Sequence, residues 1–260
     1  MSRILIFDSG LGGLTVFEPV AALRPDAELI YVADDAYFPY GALGEGALVA
    51  RVVALMGELI ARFRPQLVVV ACNTASTLVL APLREAFETP FVGTVPAIKP
   101  AALASRSKMI SVLATPGTVA RDYTRALIHE FAADCEVTLV GAPRLASLAE
   151  AALRGEPVAD ADIAREIAPA FVERAGRGTD HIVLACTHFP LLRARLAALA
   201  PWAVEWVDPA PAIARRVDAL LGPATGEAAS RPPLAIFTSG APVSPALRKA
   251  LLERGLSVSS

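Results

Sequence analysis

Two short runs of the sequence repeat the same pattern of apolar and polar residues. Residues 68–76 read VVVACNTAS and residues 182–190 read IVLACTHFP. Each run begins with a β-branched apolar stretch, which is typical of a strand buried in a parallel sheet, and places a cysteine where the chain leaves that strand. Ligands of open α/β sheets bind beyond the carboxyl ends of the strands. We therefore expect Cys72 and Cys186 to face one site from two halves of the molecule.

Strand and helix patterns alternate along the chain, and the alternation restarts after Pro96. Such units predict parallel sheets covered by helices, and 260 residues suffice for two cores. We predict an α/β protein with two similar Rossmann-like domains, largely parallel sheets and an active site in the cleft between them. Residues 1–95 plus 208–260 would form a discontinuous first domain, and residues 96–207 the second. A long helix is predicted over residues 159–175.

Charge and cysteine content narrow the possible classes of function. The net charge of −2 comes from scattered charged residues without a basic run, which argues against a nucleic-acid partner. The 3 cysteines, with no secretion signal before the first strand, are typical of a reduced cytoplasmic protein. Mean hydropathy is +0.49, but every apolar run is shorter than the roughly 18 residues that a membrane span needs. We therefore expect no membrane association.

A glycine-rich turn follows the first predicted strand. Residues 8–13 read DSGLGG and a predicted helix over 14–23 follows, so free N–H groups and the positive helix end would attract an anion. The spacing matches neither a P-loop nor G-x-G-x-x-G, which favours a carboxylate over a nucleotide. Asp8 would either cap this helix or orient a substrate ammonium or a thiol. The turn AYFPYG at 36–41 would place backbone groups and the Tyr40 hydroxyl over a ligand, or pack on itself.

A matched pair of cysteines suits proton transfer at a weakly acidic carbon. To invert an amino acid, one proton must leave one face of Cα and another must arrive on the opposite face. A thiol, with a reference pKa of about 8.5, can act as base or acid, and a helix N-terminus or a cation can lower that pKa. His188 follows Cys186 closely and is either a proton partner or an ordinary core histidine. Cys135 has no counterpart and is interpreted as structural.

Other roles for the paired cysteines remain open at this point. Buried cysteines often pack as small hydrophobes, although the repetition of the motif favours chemistry. Cys186 and His188 lack a C-x-x-C or second paired ligand, so we expect no metal site, and a disulfide is not expected in the cytosol. Two hypotheses survive: an enzyme that acts on a Cα–H bond, and a non-catalytic module that binds an amino acid or anion.

Four motifs occur in the order found in one enzyme family. They read DSGLGG at 8–13, PYG at 39–41, ACNTA at 71–75 and CTHFP at 186–190. Together they resemble the glutamate racemases of the aspartate/glutamate racemase superfamily, over nearly the whole chain. The resemblance implies cofactor-independent interconversion of L- and D-glutamate, which supplies D-glutamate for peptidoglycan. An aspartate or hydantoin racemase or a decarboxylase of the superfamily is the alternative, and the CTH and PYG motifs favour glutamate.

The resemblance also implies roles for single residues. Cys72 would be the base for the D-enantiomer and Cys186 the base for the L-enantiomer, with Asp8, Glu150 and His188 as auxiliary acid–base groups. The implied substrate contacts are Asp8, Ser9, Tyr40, Gly41, Asn73, Thr74, Thr115, Thr187 and His188. We expect no cofactor, a small-molecule substrate and a homodimer. No N-terminal extension of the kind linked to precursor activation in some members precedes the first strand, so no such activation is expected.

Overall fold

A computed structural model describes residues 2–224 and 226–258 of the chain. The strands are β1 (Arg3–Asp8), β2 (Glu28–Ala33), β3 (Leu67–Val70), β4 (Phe91–Gly93), β5 (Met109–Ala114), β6 (Glu136–Gly141), β7 (Glu173–Arg174), β8 (Arg177–Gly178), β9 (His181–Ala185), β10 (Glu205–Val207), β11 (Leu234–Phe237) and β12 (Ser257–Val258). The α-helices are α1 (Leu14–Leu23), α2 (Glu45–Phe63), α3 (Asn73–Ala86), α4 (Ile98–Ala104), α5 (Pro116–Val119), α6 (Asp122–Phe131), α7 (Leu145–Leu153), α8 (Asp160–Ile167), α9 (Arg193–Leu199), α10 (Ala210–Leu221) and α11 (Pro245–Glu253). Short 3-10 helices cover Asp35–Tyr37, Tyr40–Ala42, Ala168–Ala170 and Phe189–Leu192.

The described strands form two parallel sheets and one small hairpin. The first sheet has the order β12-β11-β2-β1-β3-β4 and the second has the order β10-β9-β5-β6. β7 and β8 pair antiparallel outside both sheets. The predicted α/β class with largely parallel sheets is confirmed. The exact division into 1–95 plus 208–260 and 96–207 stays a prediction, and residues 1, 225, 259 and 260 of that division lie outside the described residues.

The central strand β1 shows how one apolar run supplies the core on both faces of the first sheet. Ile4 and Ile6 pack in the cluster that includes α1, α10 and α11, whereas Leu5 and Phe7 pack in the cluster formed with α2 and α3. Side chains alternate across a strand, so a strand covered on both faces needs apolar residues at successive positions. The second sheet is covered in the same way, by α7, α8 and α9 on one face and by α4 and α6 on the other. No helix in the described part of the chain is long and apolar enough to cross a membrane.

The long helix predicted over residues 159–175 is wrong. The structure has α8 up to Ile167, then a 3-10 turn and the β7-β8 hairpin. Pro169 cannot donate a backbone hydrogen bond and its ring crowds the preceding turn, so an α-helix cannot pass through it undisturbed. Ala175 and Gly176 then take positive φ angles of 51° and 74°, which reverses the chain in the hairpin.

Candidate active site

The carboxyl ends of β1 and β3 in the first sheet face those of β5 and β9 in the second. Side chains that follow these strands and the loop after β2 enclose a common space. It is lined by Ser9, Phe38, Pro39, Tyr40, Gly41, Cys72, Asn73, Thr74, Thr115, Ala146, Cys186, Thr187 and His188. The volume open to the centre of a water-sized sphere is about 20 Å³, room for about one water molecule.

A larger cavity of about 470 Å³ lies elsewhere, between β4, α4, α6 and α10. Its walls are mainly apolar but include Lys99, Asp208, Arg215 and Arg216. Among the residues that the structure describes, no cysteine or histidine lines it. Its size alone would favour this cavity as the active site. Proton transfer, however, needs titratable groups that lie close together. We therefore assign the chemistry to the smaller space between the two sheets, where both motif cysteines lie.

Cys72 and Cys186 are both free thiols and both are 6% exposed. Cys72 is the N-cap residue of α3, as expected, whereas Cys186 is followed by the 3-10 helix at 189–192 instead of an α-helix. The Cys72 thiol lies 3.7 Å from the Ser9 hydroxyl. Burial and the negative charge of Asp8 raise the pKa of Cys72 to about 12. The position at a helix N-terminus therefore does not make Cys72 a thiolate at neutral pH.

The other thiol lies at one end of a buried chain of polar groups. Cys186 Sγ is 3.8 Å from His188 Nδ1, and His188 Nε2 is 2.9 Å from Glu150 Oε1. Burial alone would lower the pKa of His188, but hydrogen bonds to Cys186 and Glu150 and the charges of Cys186 and Asp8 raise it well above 6.5. Burial opposes ionisation of Glu150, and His188 together with the Leu11 N–H lowers its pKa below 4.5. Cys186 therefore faces an imidazolium and Cys72 does not.

Asp8 is fully buried at the end of β1 and joins the two halves. Its carboxylate accepts hydrogen bonds from the Thr187 hydroxyl at 3.2 Å and the Gly10 N–H at 3.2 Å. Burial raises the pKa of Asp8, while the charge of His188 and these hydrogen bonds act in the opposite direction. Asp8 thus supports the turn and Thr187 and adds negative charge near Cys72, but does not line the space itself.

Polar side chains that could bind a substrate also line the space between the sheets. Asn73 is 3% exposed, and within the described residues neither Nδ2 nor Oδ1 of its side chain has a hydrogen-bond partner. A buried amide without partners is costly, so this one marks a place for a polar ligand. Beside it, the hydroxyls of Thr74, Thr115 and Thr118 lie 3.1 to 3.4 Å from one another. Thr118 does not line the space but completes this cluster behind Thr74 and Thr115. The sequence reasoning missed it, although Thr115-x-x-Thr118 at a helix start was a visible signal.

Two expectations about the loops need correction. The Tyr40 hydroxyl does not reach over the space, because it donates a 2.6 Å hydrogen bond to Asp34. The turn at 10–13 does bind an anion, but this anion is the protein's own Glu150, whose Oε1 accepts from the Leu11 N–H at 2.5 Å. Glu150 is 6% exposed, which an Ala-rich helix did not suggest. Two of its partners, the Leu11 N–H and His188, come from distant parts of the chain, whereas Arg154, one helical turn away, forms a 3.2 Å ion pair with its Oε2.

Comparison with known proteins places this geometry in one family. A model of the Asp/Glu/hydantoin racemase family matches residues 15–217. Glutamate racemase of Brucella anthropi is 56% identical over 242 residues, 92% of this chain and 87% of that protein. The chain belongs to the Asp/Glu/hydantoin racemase family. The glutamate racemase of Sinorhizobium fredii is 55% identical over 244 residues, 93% of this chain and 91% of its own length.

Solved structures of glutamate racemases have the same fold as this chain. Escherichia coli glutamate racemase, solved with L-glutamate and an activator, has a TM-score of 0.90 at 40% identity, covering 99% of this chain and 96% of that one. The Thermus thermophilus enzyme has a TM-score of 0.75 at 28% identity, covering 99% and 96%. The predicted resemblance to glutamate racemase and the prediction of an amino-acid isomerase are therefore confirmed.

The structure brings the predicted site residues of this racemase together, while their roles stay predictions. All the implied substrate contacts except Asp8 line the space, and Glu150 lies one hydrogen bond behind it. Among residues 2–224 and 226–258, no group of three or more His, Cys, Asp or Glu side chains is arranged to hold a metal ion. The third thiol, Cys135, is half-buried beside Asp134 and the Ala102 carbonyl, outside the space.

Proposed function

We propose that this chain interconverts L- and D-glutamate without a cofactor, with Cys72 and Cys186 as the two bases. One observation carries the proposal: two buried thiols from different sheets line one closed space, and only one of them contacts an imidazolium. The glutamate racemases at 55% and 56% identity support the choice of substrate. Conversion of one enantiomer requires a proton acceptor on one face of Cα and a donor on the other.

The charges around the two thiols define the resting state of the proposed cycle. Cys186 lies beside the His188 imidazolium and starts the cycle as the base, while the raised pKa of Cys72 keeps it a thiol. Cys186 then removes the Cα proton of L-glutamate, and Cys72 delivers its own proton to the opposite face to form D-glutamate. Cys186 ends as a thiol and Cys72 as a thiolate, so the reverse reaction starts from this second state. Return of one proton from Cys186 to Cys72 restores the first.

The remaining side chains bind and orient the substrate. The unpartnered Asn73 amide and the hydroxyls of Thr74 and Thr115 are donors that suit a substrate carboxylate. Ser9, Thr187 and the turn at Tyr40 and Gly41 complete the contacts, with Asp8, Glu150 and His188 as charged groups around the thiols. Fixed donors around a Cα carbanion also stabilise the charge that develops on the adjacent carboxylate.

The proposal extends to the role and form of the protein in the cell. D-glutamate made here would be used in peptidoglycan. We propose a cytoplasmic homodimer, and two domains formed by residues 1–95 with 208–260 and by 96–207. An aspartate substrate is the alternative within the family, and the test below includes it.

The test measures racemisation of L- and D-glutamate in deuterated buffer without added cofactor, with L-aspartate in parallel. We expect product with solvent deuterium at Cα from glutamate and none from aspartate. Cys72→Ser and Cys186→Ser should each lower kcat by about 1,000-fold or more, within the range for loss of a general acid or base. Cys135→Ser is the matched control and should stay within twofold of wild type. Full racemisation by either site variant would refute the two-base scheme.

A further inference from the structure

We propose that Asp34 is a positioning residue that fixes the substrate-binding turn at 39–41 through the hydroxyl of Tyr40. The inference rests on the proposed function, because that function assigns the turn to the substrate. Asp34 follows β2 directly and is 0% exposed. It does not line the space between the sheets, so any effect on the reaction must act through another residue.

Both carboxylate oxygens of Asp34 are fully used within the protein. Oδ2 accepts from the Tyr40 hydroxyl at 2.6 Å and from Arg51 Nε at 3.0 Å. Oδ1 accepts from Arg51 Nη2 at 2.6 Å and from the Thr238 hydroxyl at 2.6 Å. Burial alone would raise the pKa of Asp34, but these hydrogen bonds lower it below 3.8. The carboxylate is therefore ionised and its hydrogen bonds are charge-assisted, which makes them stronger than neutral ones.

Two of the partners of Asp34, Arg51 and Thr238, lie outside the turn. Arg51 lies on α2 and also stacks on the Tyr37 ring, with the guanidinium carbon 4.3 Å from the ring centre. Thr238 follows β11, and next to it Ser239 donates to Asp35 through its N–H at 2.9 Å and its hydroxyl at 2.6 Å. The loop after β2 is thus held between a long helix and a neighbouring strand of the same sheet.

This arrangement determines what Tyr40 can offer a substrate. Its hydroxyl donates to Asp34, so its one donor is not available to a ligand. The ring is 2% exposed and packs near Phe7, at a centroid distance of 6.4 Å. The backbone of the turn remains available to a ligand, because Tyr40 and Gly41 line the space and no described hydrogen bond uses their N–H groups. The first N–H groups of a helical turn have no partner within that turn.

The same turn contacts the second half of the molecule. A Cβ placed on Gly117 would lie 3.8 Å from Gly41 Cα, and one placed on Gly41 would lie 3.9 Å from Thr115 Cβ. A shift of the turn would therefore change the spacing to the threonine cluster as well as the direction of its own N–H groups. The hydrogen bond from Tyr40 to Asp34 therefore sets the distance between the turn at 39–41 and the threonine cluster, which are two of the groups that bind the substrate.

The test compares two variants at this network with one matched control. Asp34→Asn removes the charge, and Tyr40→Phe removes the hydroxyl but keeps the ring. The control is Asp26→Asn, because Asp26 is equally buried and also pairs with an arginine, Arg24, but lies away from the site. Each variant is assayed with both glutamate enantiomers, and amide hydrogen exchange of residues 39–43 is measured without substrate.

We expect Asp34→Asn and Tyr40→Phe to raise KM for both enantiomers by about tenfold, with kcat within about threefold of wild type. The turn binds the ground state and the transition state alike, so KM should carry the loss. Amides in 39–43 should exchange faster in both variants and at the wild-type rate in Asp26→Asn.

Equal changes in KM for Asp34→Asn and Asp26→Asn would overturn the inference, because a general loss of stability would then explain both. Unchanged exchange in 39–43 would overturn it as well. If wild-type protein fails to racemise glutamate, the proposed function is wrong, and hydrogen exchange alone still decides whether Asp34 holds the turn. Should Asp34→Asn fail to fold, Tyr40→Phe decides the question.

Discussion

Gly12→Ala tests the close approach of the glycine turn to the proposed catalytic histidine. A Cβ at residue 12 would lie 2.4 Å from His188 Nδ1, 2.5 Å from Thr187 Oγ1 and 2.7 Å from His188 Cε1. Ordinary van der Waals contact begins near 3.4 Å. A shift of the imidazole ring by 3.4 − 2.4 = 1.0 Å would restore ordinary van der Waals contact. No atom of a thiol or carboxylate is changed by this substitution.

The expected losses follow from that shift. His188 lies 3.8 Å from the Cys186 thiol and 2.9 Å from Glu150, so moving the ring by this amount breaks at least one contact. Misplacement by about 1 Å lowers a rate by about 100-fold. Overpacking costs about 1–3 kcal/mol of the free energy of unfolding. At about 2–4 °C per kcal/mol for a chain of this size, the Tm should fall by about 2–12 °C.

The assay is racemisation of glutamate followed by circular dichroism, with thermal unfolding of the same samples. Gly44→Ala is the control, because Gly44 has φ −65° and ψ 148° and has no atom within 4 Å of an added Cβ. Its kcat/KM should stay within about twofold of wild type. A Gly12→Ala enzyme with kcat/KM within threefold of wild type would refute the packing of this turn against His188.

Two further predictions concern carboxylates that accept several hydrogen bonds. Burial opposes ionisation of Asp180, but hydrogen bonds from Ser107, His181, Ser105 and Arg106 lower its pKa below 3.8. Asp180→Asn should therefore lower the free energy of unfolding by about 2 kcal/mol at pH 7. In urea titrations, this loss of stability relative to wild type should shrink as the pH falls below 3.8 through the lowered pKa. A loss of stability that does not depend on pH would contradict this. Glu150→Gln should lower the pKa of His188 in an NMR titration, because a neutral amide replaces the carboxylate 2.9 Å away; an unchanged pKa would show that Glu150 does not stabilise the imidazolium.

Much of the fold could be predicted because the strands of a parallel sheet carry a local signal. The apolar runs at the start of residues 68–76 and 182–190 predicted two buried strands, which the structure has as Leu67–Val70 and His181–Ala185. The short helix Ile98–Ala104 was missed because Pro96 and Pro100 look like breaks, although proline is tolerated in a first helical turn. The hairpin at 173–178 was also missed, because its strands have two residues each and no apolar pattern.

The site was predictable where chemistry and position coincide in a motif. Cys72, Asn73 and Thr74 stand together at one strand end, and Cys186, Thr187 and His188 stand at the other. Glu150 could not be placed from its surroundings in the sequence, because its burial depends on Leu11, 139 positions away. The role of Asp34 was hidden for the same reason, since Thr238, 204 positions away, completes its hydrogen bonds.

The two thiols are related by the fold but differ in their electrostatic surroundings. Cys186 has an imidazolium next to it, whereas Cys72 has the Ser9 hydroxyl and the negative charge of Asp8. Enantiomers have equal free energies in water, so a racemase has the same kcat/KM in both directions whatever the protein does. Whatever the difference between the thiols does, the ratio of the two kcat values must therefore equal the ratio of the two KM values. In the proposed cycle, the His188 contact stabilises the form of the enzyme that binds L-glutamate. The difference between the surroundings of the two thiols therefore determines which protonation form of the free enzyme is the more populated.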